Sequence, residues 1–275
     1  MFKVARYQSP DHQKWLISLI ETLRFDESVL LFDKFIPRPT ASIIFHFKEA
    51  PFLIDSETIG LNSLFLAPVI PKALVIKFQG NMDTFVASCK PTVLSRLFNI
   101  DMTPSPSRSI QLPYKTFQPI WEGLKKLGTD EDRMGYFNNF VETLSPPGGY
   151  LPDAIDILYN KIIEKSIRTP LRIIMNECDA SFRTLQRHFV ERCGVTPKTL
   201  MRIVRLNYLW TKIKYDYAVD YQDLVFDGNY FDQSHFINDF KYIVGETPNH
   251  FFSRNLEIVE YFSGKSDYHD VEWKG

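Results

Sequence analysis

Residues 181–197, SFRTLQRHFVERCGVTP, return in outline at residues 232–248, DQSHFINDFKYIVGETP. Leu185, Phe189, Gly194, Thr196 and Pro197 reappear as Phe236, Phe240, Gly245, Thr247 and Pro248, each pair 51 positions apart. Apolar residues four apart share the buried stripe of a helix, and Gly followed by Thr-Pro is where that helix stops and another begins. Ser181 and Asp232, at the same offset, are N-cap residues whose short side chains take up a first-turn amide. The chain therefore contains one unit twice.

Each unit extends upstream. Ile173, Ile174 and Met175 precede Asp179, and Leu224, Val225 and Phe226 precede Asn229. Asp and Asn tolerate the left-handed backbone that a tight turn needs. From Asp179 to Ser181 is one residue shorter than from Asn229 to Asp232, so the second turn is the longer. A short helix, a tight turn and a capped second helix make the helix-turn-helix layout, whose second helix enters the DNA major groove. Stacked solenoid repeats are the competing reading, but solenoids need three or more units. The first unit also carries Arg183, Gln186 and Arg187 at i, i+3 and i+4 near the helix start, opposite Leu185 and Phe189. Arg bonds guanine and Gln bonds adenine in bidentate fashion.

Ser181, Leu185, Gln186, Arg187, Phe189, Gly194, Thr196 and Pro197, then Arg205 and Leu206, then Tyr230, Asp232, Gln233, Ser234, His235, Phe236, Phe240, Lys241, Gly245 and Pro248 form an ordered set. Over residues 153–254 this set resembles the DNA-binding domain of AraC/XylS-type transcription regulators. The resemblance implies an all-α domain of two helix-turn-helix units joined by a long helix, here from about Pro197 to Lys214. It implies base contacts from Arg183, Gln186 and Arg187 in the first unit and from Gln233, Ser234, Ile237 and Asn238 in the second. Thr184, Lys198 and Lys241 become phosphate contacts. The implied partner is double-stranded DNA, and RNA polymerase is the candidate protein partner for the acidic groups of the second unit. Three departures from the pattern stand out: Met175 and Val225 replace small residues, Asp179 and Asn229 replace turn glycines, and Trp210 replaces Ala on the linker helix. Packing there is expected to be looser or shifted.

Charge divides the domain. Residues 161–214 hold 12 Lys and Arg against 4 Asp and Glu, a balance of +8; residues 215–255 hold 2 against 7, a balance of −5. Phosphate neutralisation dominates DNA affinity, so the first unit is expected to supply most of the binding and the second to read through uncharged Gln233, Ser234 and Asn238. Asp227, Asp232 and Asp239 would repel DNA if they faced it; alternatively they point away or meet a protein partner.

The rest of the 275 residues is long enough for a second core. Ser145-Pro146-Pro147-Gly148-Gly149 is the best linker, giving an expected division into 1–145, a linker 146–152, the DNA-binding domain 153–254 and a partly disordered tail 255–275. Upstream, β-rich runs at Val29–Phe35, Ser42–Phe47, Phe52–Ile54, Ser63–Val69 and Ala73–Phe78 point to a mostly antiparallel barrel or sandwich. Flanking helices are expected at Asp11–Leu23, with Trp15, Leu16, Leu19, Ile20 and Leu23 on one face, and at Tyr114–Leu127 and Asp130–Leu144. The fold class is thus α+β in two domains.

In layout this half resembles the cupin-like sensor domain of such regulators, which implies a small-molecule effector or a homodimer through this half. No His and carboxylate cluster suits a metal, and no metal or cofactor is expected. His46, between Phe45 and Phe47, reads as a core or ligand-lining residue. Cys89, Cys178 and Cys193 have no metal spacing and suit a reducing cytoplasm; Cys178 and Cys193 are expected on helices as small core residues. No run is apolar enough for a signal peptide or a membrane span. Two other functions remain: a helical protein-interaction module, and a DNA-binding adaptor of an enzyme, which would need a reactive cysteine cluster. A non-enzymatic, sequence-specific, cytoplasmic transcription regulator is the favoured reading.

Overall fold

The computed structural model describes residues 2–103, 108–178, 180–215, 221–252 and 270–271. The N-terminal half contains strands β1 (Phe2–Gln8), β2 (Ile17–Phe35), β3 (Ala41–His46), β4 (Phe52–Ile54), β5 (Thr58–Gly60), β6 (Leu64–Ala67) and β7 (Leu74–Cys89). β7 is the spine. One of its edges pairs antiparallel with β2 from Ile17↔Cys89 to Phe35↔Leu74. The other edge is shared: β4 takes the N-terminal half of β7 and β3 the C-terminal half. A register shift between Phe25 and Val29 lets this long strand pair bend. β1 adds antiparallel to β2, and β6 to β3. Of the tail, only β8 (Asp270–Val271), parallel to β1, lies among the described residues.

The expected helix at Asp11–Leu23 is not formed: a 3-10 turn covers Asp11–Gln13, and β2 begins at Ile17. Ile20 faces the main core, while Glu21 and Leu23 line a cavity within the half. Burial on both faces imitates a helical stripe, and fifteen paired positions with β7 decide for the strand.

Behind the sheet pack α1 (Pro91–Phe98), α2 (Tyr114–Lys126) and α3 (Asp130–Leu144). Phe45 meets Phe85 at 6.0 Å and Phe137 at 5.9 Å between ring centroids, joining β3, β7 and α3. Charged groups pin the same elements: Arg133 holds both Asp83 oxygens at 2.7 and 2.8 Å, and Asp130 accepts from Tyr7, Thr22 and Arg24.

The opposite sheet face carries a cavity of about 130 Å³ lined by Leu23, Ile44, Phe65, Phe78, Met82 and His46, among others. His46 is 3% exposed; its Nδ1 lies 2.8 Å from Thr84 Oγ1 and its Nε2 has no hydrogen-bond partner. Burial lowers its pKa to about 4, so the ring is neutral near pH 7.

The C-terminal half is helical: α4 (Ala154–Lys165), α5 (Leu171–Asn176), α6 (Phe182–Cys193), α7 (Pro197–Tyr215), α8 (Tyr221–Asp227), α9 (Gln233–Val244) and α10 (Pro248–Phe252). Both halves contribute to its cores. Val69, fully buried, sits in the cluster of α4 to α7, and Ile36 packs on the cluster of α7 to α10. Polar contacts reinforce this. Arg192 donates to Thr92 O at 2.7 Å and to Asp156, Ala73 N donates to Ile243 O at 2.7 Å, and Lys34 Nζ donates to Val244 O at 3.0 Å. Gly194 and Gly245 end α6 and α9 at φ of 85° and 87°, where only glycine is unstrained.

A Cβ on Gly194 would sit 2.7 Å from Met102 O, whereas on Gly245 it meets nothing nearer than Lys34 Nζ at 4.0 Å. Gly245→Ala should cost about 1 kcal/mol for the left-handed backbone. Gly194→Ala should cost about 2 kcal/mol more, because a backbone carbonyl must move. Urea unfolding of the two variants measures the difference, and equal losses would contradict the packing described. His46 gives a pH prediction. Its folded pKa lies below the ordinary value, so the unfolded chain binds more protons between about 6.5 and 4 and stability falls as pH drops through that window, by about 3 kcal/mol in total. Unfolding free energies of wild type and His46→Phe at pH 7 and 4.5 should diverge by most of that amount; parallel profiles would sink it.

Candidate nucleic-acid interface

The duplicated skeleton folds the same way twice. Ser181 Oγ accepts from Thr184 N at 3.3 Å, and Asp232 Oδ1 accepts from His235 N at 2.7 Å, each satisfying a first-turn amide. The C-cap amides of Gly194 and Gly245 donate to Val190 O and Lys241 O. Asn229 holds the inter-helix turn at φ 50°, while Asp179 lies outside the described residues. α7, from Pro197 to Tyr215, is the long connecting helix; the Trp210 side chain also lies outside the described residues.

Leu185 and Phe189 are fully buried with Ile174, Leu200 and Ile203. Phe236 and Phe240 are buried with Leu206, Leu209 and Val244. Met175, where looser packing was expected, is only 2% exposed and belongs to the first core. Val225 packs half-buried against the second. Cys193 closes α6, but Cys178 lies just beyond the end of α5. Burial raises the thiol pKa of both, and pushes Cys89 up to about 12.

Helical geometry places the remaining residues. Arg183, Thr184, Gln186 and Arg187 are all exposed on the first turns of α6. Among the described residues Arg183 and Gln186 have no side-chain partner. Arg187 Nη2 lies 3.1 Å from His188 Nε2, and the Thr184 hydroxyl lies 2.9 Å from Ser181 Oγ within the cap. Lys198 is exposed at the start of α7. On α9, Gln233, Ser234, Asn238 and Lys241 are exposed, whereas Ile237 is half-buried against the second core.

The structure redistributes the charge of the two units. Several cations of the basic stretch are engaged internally. Arg192 is bound to Asp153 and Asp156, and Arg205 is buried with its Nε on Ser166 O at 3.1 Å. Arg202 pairs with Asp239 at 3.1 Å, and Lys161 and Lys165 pair with Glu177. Arg168, just before α5, and Arg172 within it stand exposed, though sequence reasoning did not single them out. Asp239 is buried against Arg202 and points into the fold, so it does not face outward as a repelling charge. Asp232 is exposed, but one of its oxygens serves the cap. The arrangement leaves exposed cations and an amide at the start of α6 and mostly uncharged polar groups at the start of α9.

Among the described residues no group of three or more His, Cys, Asp or Glu is placed to hold a metal ion, and no helix is long and apolar enough to cross a membrane.

Residues 175–254 match the family model described as a helix-turn-helix domain. No match is found among curated proteins. Solved structures similar to the chain include ToxT from Vibrio cholerae, at 14% identity and TM-score 0.45, covering 92% of this chain and 98% of that one. A ToxT structure with unsaturated fatty acid bound is 15% identical with TM-score 0.41, covering 91% and 94%. The AraC-like transcriptional activator CuxR is 11% identical with TM-score 0.21, covering 94% and 96%. Two capped helix-turn-helix units on a shared linker helix, together with the family match over residues 175–254, show that this chain carries a helix-turn-helix domain there.

Proposed function

We propose that the protein binds DNA in a sequence-specific way by laying α6 and α9 into successive major-groove segments, with the first unit dominant. The observation that carries this reading is the exposed Arg183, Gln186 and Arg187 set on the N-terminal turns of α6. This is the part of a recognition helix that reaches base edges. Arg183 and Arg187 pair with guanine and Gln186 with adenine. On α9, Gln233, Ser234 and Asn238 supply weaker, uncharged readout, and Ile237 offers apolar contact from its exposed side. Thr184, Lys198 and Lys241 contact phosphates. Arg168 and Arg172 add to the positive field beside the first unit.

Residues 1–145 form the sensor and dimerisation domain, joined through 146–152 to the DNA-binding domain at 153–254. Its apolar cavity is the place for a small-molecule effector, and the outward faces of α2 and α3 are the place for a second copy. Phe226 and Phe231, 85% and 92% exposed beside the acidic groups Asp223 and Asp232, favour a protein contact on the second unit, for which RNA polymerase is the fitting partner. Such a regulator works where the chromosome is, in the cytoplasm.

On a promoter fragment selected by the protein itself, Arg183→Ala with Arg187→Ala should weaken binding at least about a hundredfold, as two bidentate contacts are worth about 1–3 kcal/mol each. Gln233→Ala with Asn238→Ala should cost under about tenfold; equal losses would refute the ranking. Lys198→Ala should lower the slope of log affinity against log salt by about 1 without changing sequence preference. Mobility shifts across a salt series read both effects, and affinity that ignores salt would point to a protein-interaction module instead.

A further inference from the structure

The cavity of the N-terminal half has one unsatisfied polar group. His46 is nine-tenths buried and lines the cavity, Nδ1 is engaged by Thr84 Oγ1 at 2.8 Å, and Nε2 has no partner. The surrounding wall is apolar: Leu23, Ile44, Phe65, Phe78 and Met82. A buried polar atom left unpaired is costly, and a ligand group that pairs with it gains that free energy back.

Charge narrows the ligand. Glu21 and Arg38 also line the cavity, but they are bonded to each other, and Arg6 Nε holds the other Glu21 oxygen at 2.8 Å. Burial alone would raise the Glu21 carboxyl pKa, yet Arg38 and Arg6 keep it below the ordinary value, so the carboxylate stays ionised. A ligand carboxylate would have to share Arg38 with Glu21, and two carboxylates at one site repel. Elsewhere in the cavity it would be desolvated against hydrocarbon.

Size narrows it further. A cavity of about 130 Å³ is close to the 150 Å³ apolar cavity that accommodates a benzene ring, and far short of a long acyl chain. Tautomer chemistry selects the polar group. If His46 Nδ1 donates to Thr84, Nε2 is an acceptor; if Thr84 donates, Nε2 is a donor. A hydroxyl serves either state.

We propose that this cavity binds an uncharged, single-ring or short-chain apolar alcohol, with a phenol as the best fit, its hydroxyl bonded to His46 Nε2. This deepens, and rests on, the assignment of the cavity as the effector site. The experiment titrates the full chain, free of DNA, with phenol, benzoate and dodecanoate by calorimetry and by the ¹⁵N resonance of His46 Nε2. Phenol should bind saturably and move that resonance, benzoate should bind at least tenfold more weakly, and dodecanoate should not saturate the cavity. His46→Phe should lower phenol affinity at least tenfold; the wild-type comparison stands even if this variant fails to fold. Benzoate or dodecanoate binding as tightly as phenol would overturn the ligand class. Phenol binding with an unmoved Nε2 resonance would overturn the anchor, and no binding of any of the three would overturn the cavity as an effector site. Because the protein is titrated without DNA, none of these failures touches the groove-reading assignment, which the mobility shifts test separately.

Discussion

Burying two residues four apart on a helix dictates where its other side chains point, and the exposed faces of α6 and α9 depend on that constraint. Leu185 and Phe189 are fully buried, as are Phe236 and Phe240 to within 1%. Once these stripes are anchored, Arg183, Gln186 and Arg187 have only the outward face of α6 left, and Gln233, Ser234 and Asn238 only that of α9. The caps fix the ends. Ser181 and Asp232 satisfy the opening amides, and the left-handed glycines Gly194 and Gly245 let the chain turn away before the next helix. α6 and α9 are each therefore held by a core and by two capped ends, with the outer face exposed.

The two units are not equivalent in their surroundings. The first is joined to the N-terminal half through Val69 in its core, the Met102 N to Glu191 O bond at 2.7 Å, and Arg192 on Thr92 O. The second is joined through Ile36, Ala73 N on Ile243 O, and Lys34 on Glu246 at 2.5 Å. Arg202 on α7 ties to Asp239 on α9, so the linker helix is bonded to the second recognition helix. These contacts tie both helix-turn-helix units to the N-terminal half. Any rearrangement beside β2 or β7 would therefore meet α6 and α9 through these contacts.

Much of this was legible because it is local. The 51-residue offset marks both caps and both C-terminal glycines, and α3 spans the Asp130–Leu144 range that periodicity indicates. Turn and cap chemistry is written in neighbouring residues, so it survives without tertiary knowledge. Three kinds of feature were not legible. The first stretch of β2, within Asp11–Leu23, reads as a helix because a strand covered on both faces has no alternating pattern, whereas its later stretch Val29–Phe35 reads as a strand. β1 and the eight-residue α1 were passed over, the latter because it is too short to show a period. The partition of charge was also hidden. That Arg192, Arg202 and Arg205 serve the fold while Arg168 and Arg172 stay exposed depends on partners 30 or more residues away.

The central claim is that two helices of one chain read neighbouring major-groove segments. Methylation interference with the full-length protein on a promoter fragment it selects tests this most directly, since guanine N7 lies in the major groove and adenine N3 in the minor. The account predicts interference at guanine N7 in two clusters about 10 base pairs apart, the stronger one lost in the Arg183→Ala, Arg187→Ala protein. Interference confined to adenine N3, or no ordered clusters at all, would contradict it.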